Sequence, residues 1–372
     1  MYTRNKQVDE DVRLYLLRND YLPTNGDTRI LQVEINTISA AFAGIIESLS
    51  LVHFTHQQIY YREIGGEIPI NRPCNGFASA IHEAVIEHNK KWGTSCMNVL
   101  FVIEEGEKNI IDQYSLERYL AGEFRITVIR RSLGEVTDFA HIGADEQLYI
   151  ENTQVALVYF RAGYDPKHYP SQREWDGRKL IEKSRAVKCP SILTQLAGTK
   201  KVQQSWYQDD GKILRQRFGL SDTQVSDLLT VFARQGIPSN DSKIAEMALA
   251  NPDDWVMKPQ REGGGHNLYG HDLVQALRDK SVHELSQYVL MERMKPNPAP
   301  ALVIDGEASF IARRVVPCII EDGVSELGIY SYYIPSIKKN VICGHLLRTK
   351  SIASSEGGVN AGFAVLDTLQ LL

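Results

Sequence analysis

Short apolar runs separated by polar loops recur along this chain of 372 residues. The apolar run at 97–103 predicts a buried strand, a helix is expected at about 112–121, and 124–130 predicts the next strand. Because strand, helix and strand follow one another within about thirty residues, the pattern predicts a βαβ unit and a parallel sheet. The segment QLYIENTQVALVYF adds two more strands before a loop that opens with Arg161.

The rest of the chain shows both the two-residue alternation of strands and the periodicity of helices. Alternating apolar and polar residues predict a strand at 28–36, and helical patterns occur at 76–91, 173–187, 194–204 and 223–234. The last third is rich in strands, and the segments that suit a mixed or antiparallel sheet are WVMKP, QYVLMER, ARRVVPCII, LGIYSYYI and NVICGHLL. Residues 205–254 have the weakest apolar pattern and predict a surface lid or a variable insert.

Composition narrows the class of protein. The chain is 43% hydrophobic and 23% charged with a net charge of −5, which is ordinary for a globular protein and gives no electrostatic footprint for nucleic acid. No apolar run approaches a membrane span, and the charged N-terminal stretch lacks the core of a signal peptide. The five cysteines are scattered without a CxxC pair, which favours reduced thiols. We therefore expect a cytoplasmic protein with no membrane or nucleic-acid partner.

The glycine-rich stretch KPQREGGGHNLYG lies between the strand WVMKP and a helix predicted at 271–279. Strand, glycine loop and helix is an arrangement that brings backbone N–H groups close to phosphate oxygens. Lys258 offers a charge for a phosphate, and Glu262 offers a carboxylate for Mg²⁺. Taken alone, such a stretch is more often a solvated surface turn, because it matches neither a P-loop nor GxGxxG.

Further stretches strengthen the phosphate interpretation. In VEINTIS, Glu34 and Asn36 share one face of a strand, where their oxygens suit a common Mg²⁺. GTKK offers Lys200 as a second phosphate ligand, and HLLRTKSIASSEGGVNAG joins Arg348 and Lys350 to a second glycine pair. Each stretch alone is explained by surface charge, but together they predict a site for phosphates and a metal.

Ten blocks of sequence resemble, in order and spacing, the eukaryotic-type glutathione synthetases of the ATP-grasp superfamily. They cover about 18–367 and read RNDYL, QVEINTISA, EKNIIDQ, YFRAGYDP, KCPSILTQLAGTKKVQQ, KPQREGGGHNLYG, LMER, SELGIY, GHLLRTK and GGVNAG. The resemblance implies an α/β protein with α+β elements, an ATP-grasp fold with an inserted parallel-sheet substrate-binding domain. The implied units are 1–96 (N-terminal part of the ATP-grasp and substrate region), 97–199 (substrate-binding domain) and 200–372 (ATP-grasp domain with a glycine-rich lid loop).

The resemblance also implies an activity: ATP-dependent ligation of γ-L-glutamyl-L-cysteine to glycine through an acyl phosphate, with Mg²⁺ and a homodimeric assembly. The implied nucleotide-binding residues are Lys200, Lys258, Gly263, Gly264, Asn267, Tyr269, Met291, Glu292, Arg293, Met294, Glu326 (on the ribose side), Lys350 and Glu356. The implied substrate-binding residues are Arg18, Ile38, Ser39, Glu107, Asn109, Gln113, Arg161, Tyr164, Arg348, Val359 and Asn360. Glu34, Asn36 and Glu262 are the implied Mg²⁺ ligands. Arg348, Lys258 and Lys350 are the expected catalytic residues, with Arg348 stabilising charge at the reacting carbonyl.

Two departures from the family keep alternatives open. Family members carry a sizeable segment before the strand that contains Arg18, and here Met1 lies shortly before it. This leaves open a truncated, non-catalytic form that binds nucleotide. Asn360 replaces a small alanine near the expected glycine site, which leaves open a ligase that adds β-alanine or serine. Glycine is the expected acceptor.

Overall fold

The computed structural model describes residues 12–24, 29–60, 66–239, 242–260, 266–304, 317–354, 359, 362 and 364–371. The helices of this part are α1 Ala43–Tyr60, α2 Pro73–Trp92, α3 Ile110–Phe124, α4 Leu133–Phe139, α5 Gln172–Lys183, α6 Ile192–Ala197, α7 Lys200–Phe218, α8 Asp222–Leu229, α9 Lys243–Ala250, α10 Gly270–Asp279 and α11 Val282–Leu285. The strands are β1 Tyr15–Pro23, β2 Ile30–Asn36, β3 Asn98–Val102, β4 Thr127–Arg131, β5 Ala140–Ile142, β6 Leu148–Ile150, β7 Thr153–Val155, β8 Leu157–Phe160, β9 Val187–Cys189, β10 Gln235–Gly236, β11 Trp255–Pro259, β12 Tyr288–Glu292, β13 Ala299–Ile304, β14 Pro317–Ile334, β15 Lys339–Ser351 and β16 Val365–Asp367.

A four-stranded parallel sheet has the order β4-β3-β8-β9. Its central strand β3 is almost entirely buried, as expected for a parallel strand covered on both faces. Helix α3 connects β3 to β4, so the predicted βαβ unit is confirmed. The segment QLYIENTQVALVYF contains three strands, β6, β7 and β8, where two are predicted. Strands β6 and β7 form a small antiparallel sheet with β5, and only β8 joins the parallel sheet.

A large antiparallel sheet combines strands from opposite ends of the described chain. Its order is β16-β15-β14-β1-β2, and β13 pairs with β14. Strand β1 lies between β14 and β2, so Arg18 faces Tyr330 on one side and Asn36 on the other. The parallel sheet lies between β2 and β13 in sequence, and the predicted α/β fold class with an inserted parallel sheet is confirmed.

A third sheet has the order β10-β12-β11. Its strand β10 comes from the segment at 205–254, which the apolar pattern predicts to be a lid or an insert. Part of this segment is a strand of a sheet, because Gln235 and Gly236 pair with Met291 and Leu290 of β12, and its expected role as a lid or an insert stays a prediction. A two-residue strand shows no periodicity in sequence, so only its partner reveals it.

Two other predictions of helices need correction. The helix predicted at 194–204 is two helices, α6 and α7, which are separated at Gly198 and Thr199. The helix predicted at 223–234 ends at Leu229, where the chain turns toward β10. Helix α1 was not predicted, because exposed apolar residues such as Leu51 and Val52 blur its polar face.

Helix α2 holds the parallel and antiparallel sheets together. Its side chains Phe77 and Ile81 are buried in one continuous core with Leu16 of β1, Phe101 of β3 and Tyr330 of β14. Fully burying side chains of this size stabilises a fold by about 1.5–3 kcal/mol each, before the entropy of folding is subtracted. The two sheets therefore form one packed unit, and their relative position is set by this core. Within the described residues no helix has the length and apolar character needed to cross a bilayer.

Candidate active site

A cavity of about 590 Å³ opens where the antiparallel sheet, the three-stranded sheet and loops of the parallel sheet meet. Most of the predicted site residues line it: Arg18, Glu34, Asn36, Ile38, Ser39, Glu107, Arg161, Tyr164, Lys200, Lys258, Asn267, Tyr269, Met291, Glu292, Arg293, Met294, Glu326, Arg348, Lys350 and Val359. Asn109 and Gln113 are not on its wall. The predicted residues Glu262, Gly263, Gly264, Glu356 and Asn360 lie outside the described residues.

The wall of this cavity is positively charged although the chain is not. Among the described lining residues, seven are lysine or arginine and four are glutamate. The whole chain has a net charge of −5. A positively charged cleft in a protein of net negative charge concentrates anionic ligands. The cavity therefore suits an anionic ligand such as a nucleoside triphosphate or a peptide with two carboxylates.

Sheet register explains why these side chains meet. Residues directly opposite each other in an antiparallel pair point to the same face, and so do residues two apart in one strand. Arg18 lies opposite Asn36, and the next row places Asp20 opposite Glu34. Farther along the same sheet, Glu326 lies opposite Arg348. Antiparallel pairing thus gathers the charged side chains of β1, β2, β14 and β15 on the face that borders the cavity.

Lys200 reaches the cavity because α7 begins close to β2. A Cβ atom on Gly198 would overlap the Thr37 side chain and lie 3.1 Å from the Ile35 carbonyl oxygen, so the close approach requires glycine. Lys200 is the first residue of α7, and its Nζ lies 3.2 Å from Oε2 of Glu34. Burial acts to raise the pKa of Glu34, but the charges of Lys200, Arg348 and Lys258 outweigh it and hold this pKa below its ordinary value. Glu34 is therefore a carboxylate.

Lys258 projects from β11 toward the same carboxylate. Burial and repulsion by Lys200 lower its pKa, although Glu34 and Glu326 oppose the shift. Lys200 comes from helix α7 and Lys258 from strand β11, so two cations lie near Glu34. A phosphate group in the cavity would receive both charges.

Glu34 and Asn36 fit a role as Mg²⁺ ligands. Nδ2 of Asn36 donates to Oδ2 of Asp20 at 2.9 Å, which leaves the amide oxygen as the free coordinating atom. Within the described residues, no three His, Cys, Asp or Glu side chains form a metal cluster. A carboxylate and an amide oxygen are hard ligands, and Mg²⁺ is often held by few protein groups together with phosphate oxygens. This donor set thus suits a metal that arrives with a nucleotide.

The opposite part of the cavity is organised around Arg161. Its Nη2 lies 2.7 Å from Oε1 of Glu107, and its backbone carbonyl accepts a hydrogen bond from Oγ of Ser39 at 3.0 Å. Gln113 donates its amide to the other oxygen of Glu107. Gln113 is buried and contacts Arg130 as well, so in this structure it orients Glu107 and does not face the cavity. Asn109 is also buried, at the start of α3.

His168 was not predicted from the sequence, although it holds the loop that carries Tyr164. Nδ1 of His168 accepts hydrogen bonds from the backbone N–H groups of Gly163 and Asp165, both at 3.1 Å, and Nε2 lies 3.0 Å from Oε2 of Glu104. This arrangement requires the proton on Nε2. Its ring also packs edge-on against Tyr164. A histidine five residues after a glycine in a loop gives no signal of such a contact.

Two buried aspartates are further residues that sequence reasoning missed. Asp112 accepts hydrogen bonds from the N–H groups of Phe42 and Gly44, each at 2.8 Å, and so holds the turn that carries Ile38 and Ser39. Asp20 lies beneath the cavity among Arg18, Asn36 and Arg348. Its position two residues after Arg18 in RNDYL was the available signal.

Glu326 forms an ion pair with Nη2 of Arg348. Burial and the neighbouring carboxylates Asp20 and Glu34 raise its pKa, against the effect of Arg348. The structure thus places Glu326 as a partner of Arg348, and its expected position beside a ribose stays a prediction.

Comparison with known proteins gives one consistent family. The model of the eukaryotic glutathione synthase ATP-binding domain matches residues 1–371. A chloroplastic glutathione synthetase of Solanum lycopersicum is 37% identical over 98% of this chain, and a glutathione synthetase of Homo sapiens is 40% identical over 97% of it. The structure of a glutathione synthetase-like effector of Globodera pallida superposes with a TM-score of 0.69 at 17% identity. That match covers 99% of this chain and 79% of the effector, and it shows a shared fold.

The chain is shorter than these relatives. It spans 65% of the length of the tomato protein and 75% of the length of the human one.

Proposed function

The chain belongs to the eukaryotic glutathione synthase family, and we propose that it joins γ-L-glutamyl-L-cysteine to glycine at the expense of ATP. The products would be glutathione, ADP and phosphate. One observation carries the proposal: Lys200, Lys258 and Lys350 converge on one cavity that is also lined by Glu34, Asn36 and four arginines. This is the set of charges needed for a triphosphate and a peptide with two carboxylates.

Transfer of a phosphoryl group depends mainly on positioning and charge neutralisation. In the proposed reaction an oxygen of the cysteinyl carboxylate attacks the γ-phosphorus of ATP, the bond to the bridging oxygen breaks, and ADP leaves. Lys200, Lys258 and Lys350 hold the phosphates from three directions. When bound by Glu34, Asn36 and Glu262, Mg²⁺ would add positive charge at the triphosphate.

The second step makes the peptide bond. The amine of glycine attacks the carbonyl carbon of the acyl phosphate, loses a proton, and phosphate leaves from the tetrahedral intermediate. Arg348 is the proposed donor to the oxygen that gains negative charge. Its guanidinium is held by Asp20 and Glu326, so it does not reorient during the step.

No protein nucleophile is needed for this route. Burial raises the pKa of the Cys74 thiol, and it raises the pKa of Cys189 to about 12, so these groups stay protonated and unreactive near neutral pH. Both thiols are buried. The homodimer, the cytoplasmic location and the division into three domains expected from the sequence stay predictions.

Phosphate release from ATP and Mg²⁺ tests the proposed function. We expect release that requires both γ-glutamylcysteine and glycine, with an equal amount of tripeptide identified by mass. Competition among glycine, β-alanine and serine in the same assay identifies the acceptor. ATP binding without release in the presence of both substrates would overturn the ligase and support the non-catalytic nucleotide binder.

A further inference from the structure

Asp20 is a fully buried carboxylate that lies just below the cavity wall. It is 0% exposed, and it is not among the residues that line the cavity. Oδ1 accepts a hydrogen bond from Nε of Arg18 at 2.7 Å. Oδ2 accepts three more, from Nη2 of Arg18 at 2.9 Å, Nδ2 of Asn36 at 2.9 Å and Nη2 of Arg348 at 3.0 Å.

These donors come from three strands. Arg18 is on β1, Asn36 on β2 and Arg348 on β15, and in the proposed reaction they contact substrate, metal and the reacting carbonyl respectively. Arg18 also donates Nη1 to the carbonyl of Ala41 at 3.1 Å, so its plane is held at both ends. Among the described residues, Nε of Arg348 has no hydrogen-bond partner. One carboxylate therefore orients two cations, and the side of Arg348 that lines the cavity stays directed at a ligand.

Backbone geometry fits this arrangement. Asp20 lies opposite Gly328 of β14. A Cβ atom at Gly328 would lie 2.8 Å from Oδ1 of Asp20 and 3.0 Å from Cδ of Arg18, which is closer than normal packing allows. The pair formed by Arg18 and Asp20 thus occupies space that only glycine leaves open.

We infer that Asp20 is a positioning residue for the ligase reaction, because it sets the orientation of Arg18 and Arg348 toward the peptide carboxylate and the reacting carbonyl. This inference rests on the proposed function. A merely structural ion pair would affect stability and all ligands together. A positioning residue affects the step served by the two arginines far more than the binding of ATP, which depends mainly on Lys200, Lys258 and Lys350.

Asp20→Asn tests the inference with little change of shape. We expect kcat with γ-glutamylcysteine and glycine to fall by about 100-fold, close to the loss expected for Arg348→Ala, since either change removes an oriented donor from the transition state. The Kd for ATP, measured by calorimetry, should stay within about two-fold of the parent value. Asp138→Asn is the matched control, because Asp138 is exposed and pairs with Arg173 at the surface, away from the residues that line the cavity.

Gly328→Ala provides a second test that changes no charge. We expect it to lower kcat in the same direction as Asp20→Asn by displacing the carboxylate, and it decides the matter if Asp20→Asn does not fold. The inference is overturned if kcat of either folded variant stays within about three-fold of the parent, or if ATP affinity falls as much as kcat. If the parent protein binds ATP but forms no tripeptide, the proposed function is wrong. If the parent forms tripeptide and the variants do so equally well, only the inference about Asp20 is wrong.

Discussion

Lys258 is a cavity residue whose surroundings oppose its charged form. Burial and the neighbouring Lys200 lower its pKa, and Glu34 only partly compensates. Bound phosphates would supply the missing negative charge and raise this pKa again. The protonated lysine is therefore the form that binds ATP, and nucleotide binding takes up a proton when the pH is above the pKa of the free site.

Lys258→Arg should change how ATP affinity depends on pH. In the parent protein we expect full affinity below the lowered pKa of Lys258 and a progressive loss as pH rises through it, at lower pH than for an ordinary lysine. Arginine stays charged, so the variant should hold a flatter affinity through the pH range in which the parent loses it. Calorimetric Kd values for ATP with Mg²⁺ measure this.

Lys90→Arg is the control for that experiment, because Lys90 is exposed on α2 with its side chain 76% accessible. It should reproduce the pH profile of the parent. A Lys258→Arg variant with the same alkaline loss as the parent would show that another group controls affinity.

At the level of residues, sequence predicts charged groups better than it predicts what holds them. Lys258 and Glu34 were found because their types and spacing match a chemistry. Asp20 was not, although it stands in RNDYL, because its partner Arg348 is 328 positions away and only strand pairing brings the two together. His168 was missed for a similar reason, since a loop conformation gives its ring nitrogen two backbone donors.

At the level of elements, periodicity predicted most long strands and helices, but it missed α1 and failed at breaks and very short strands. The clearest case is 194–204, where the helical pattern continues through a break at Gly198. Tertiary packing causes the break, because α7 must start against β2 at Ile35 and Thr37. Local sequence contains no information about that neighbour, so the boundary could not be predicted.

Gly198→Ala should weaken ATP binding although Gly198 itself is not among the proposed nucleotide-binding residues. An added Cβ would meet Thr37 and push the start of α7 away from β2, and with it Lys200 away from Glu34. We expect a roughly 10-fold to 100-fold higher Kd for ATP, since displacements of about 1 Å have effects of this size. The melting temperature should fall as well, because overpacking strains the contact.

Gly122→Ala is the matched control, because a Cβ at this position in α3 meets nothing within 4 Å. It should leave the Kd for ATP unchanged and slightly favour the helix. If Gly198→Ala binds ATP like Gly122→Ala, the start of α7 does not set the position of Lys200.

At the level of the whole molecule, two kinds of sheet meet at the cavity. The parallel sheet is assembled from strands between Asn98 and Cys189. The antiparallel sheet pairs Arg18 with Tyr330 and Leu347 with Asp367, so its contacts span most of the chain. Fold class was predictable because alternation and βαβ spacing are local signals. The strand order was not, because it depends on pairings between distant segments.

The central place of β1 has a consequence for how the protein acquires its structure. Closing a long loop costs entropy before any contact is gained, so distant pairings form late. Hydrogen exchange during refolding, followed by mass spectrometry, should therefore show amides of β3 and β8 protected before those of β1 and β14. Simultaneous protection, or the reverse order, would contradict this sequence of events.

The same consequence holds during synthesis. Strands β1 and β2 leave the ribosome before β14, which follows some three hundred residues later, so one edge of β1 stays unpaired until β14 emerges. Unpaired strand edges invite pairing with other chains. Arg18 and Asp20 place charges on β1 during this interval. The same two residues that later orient Arg348 thereby also discourage premature association.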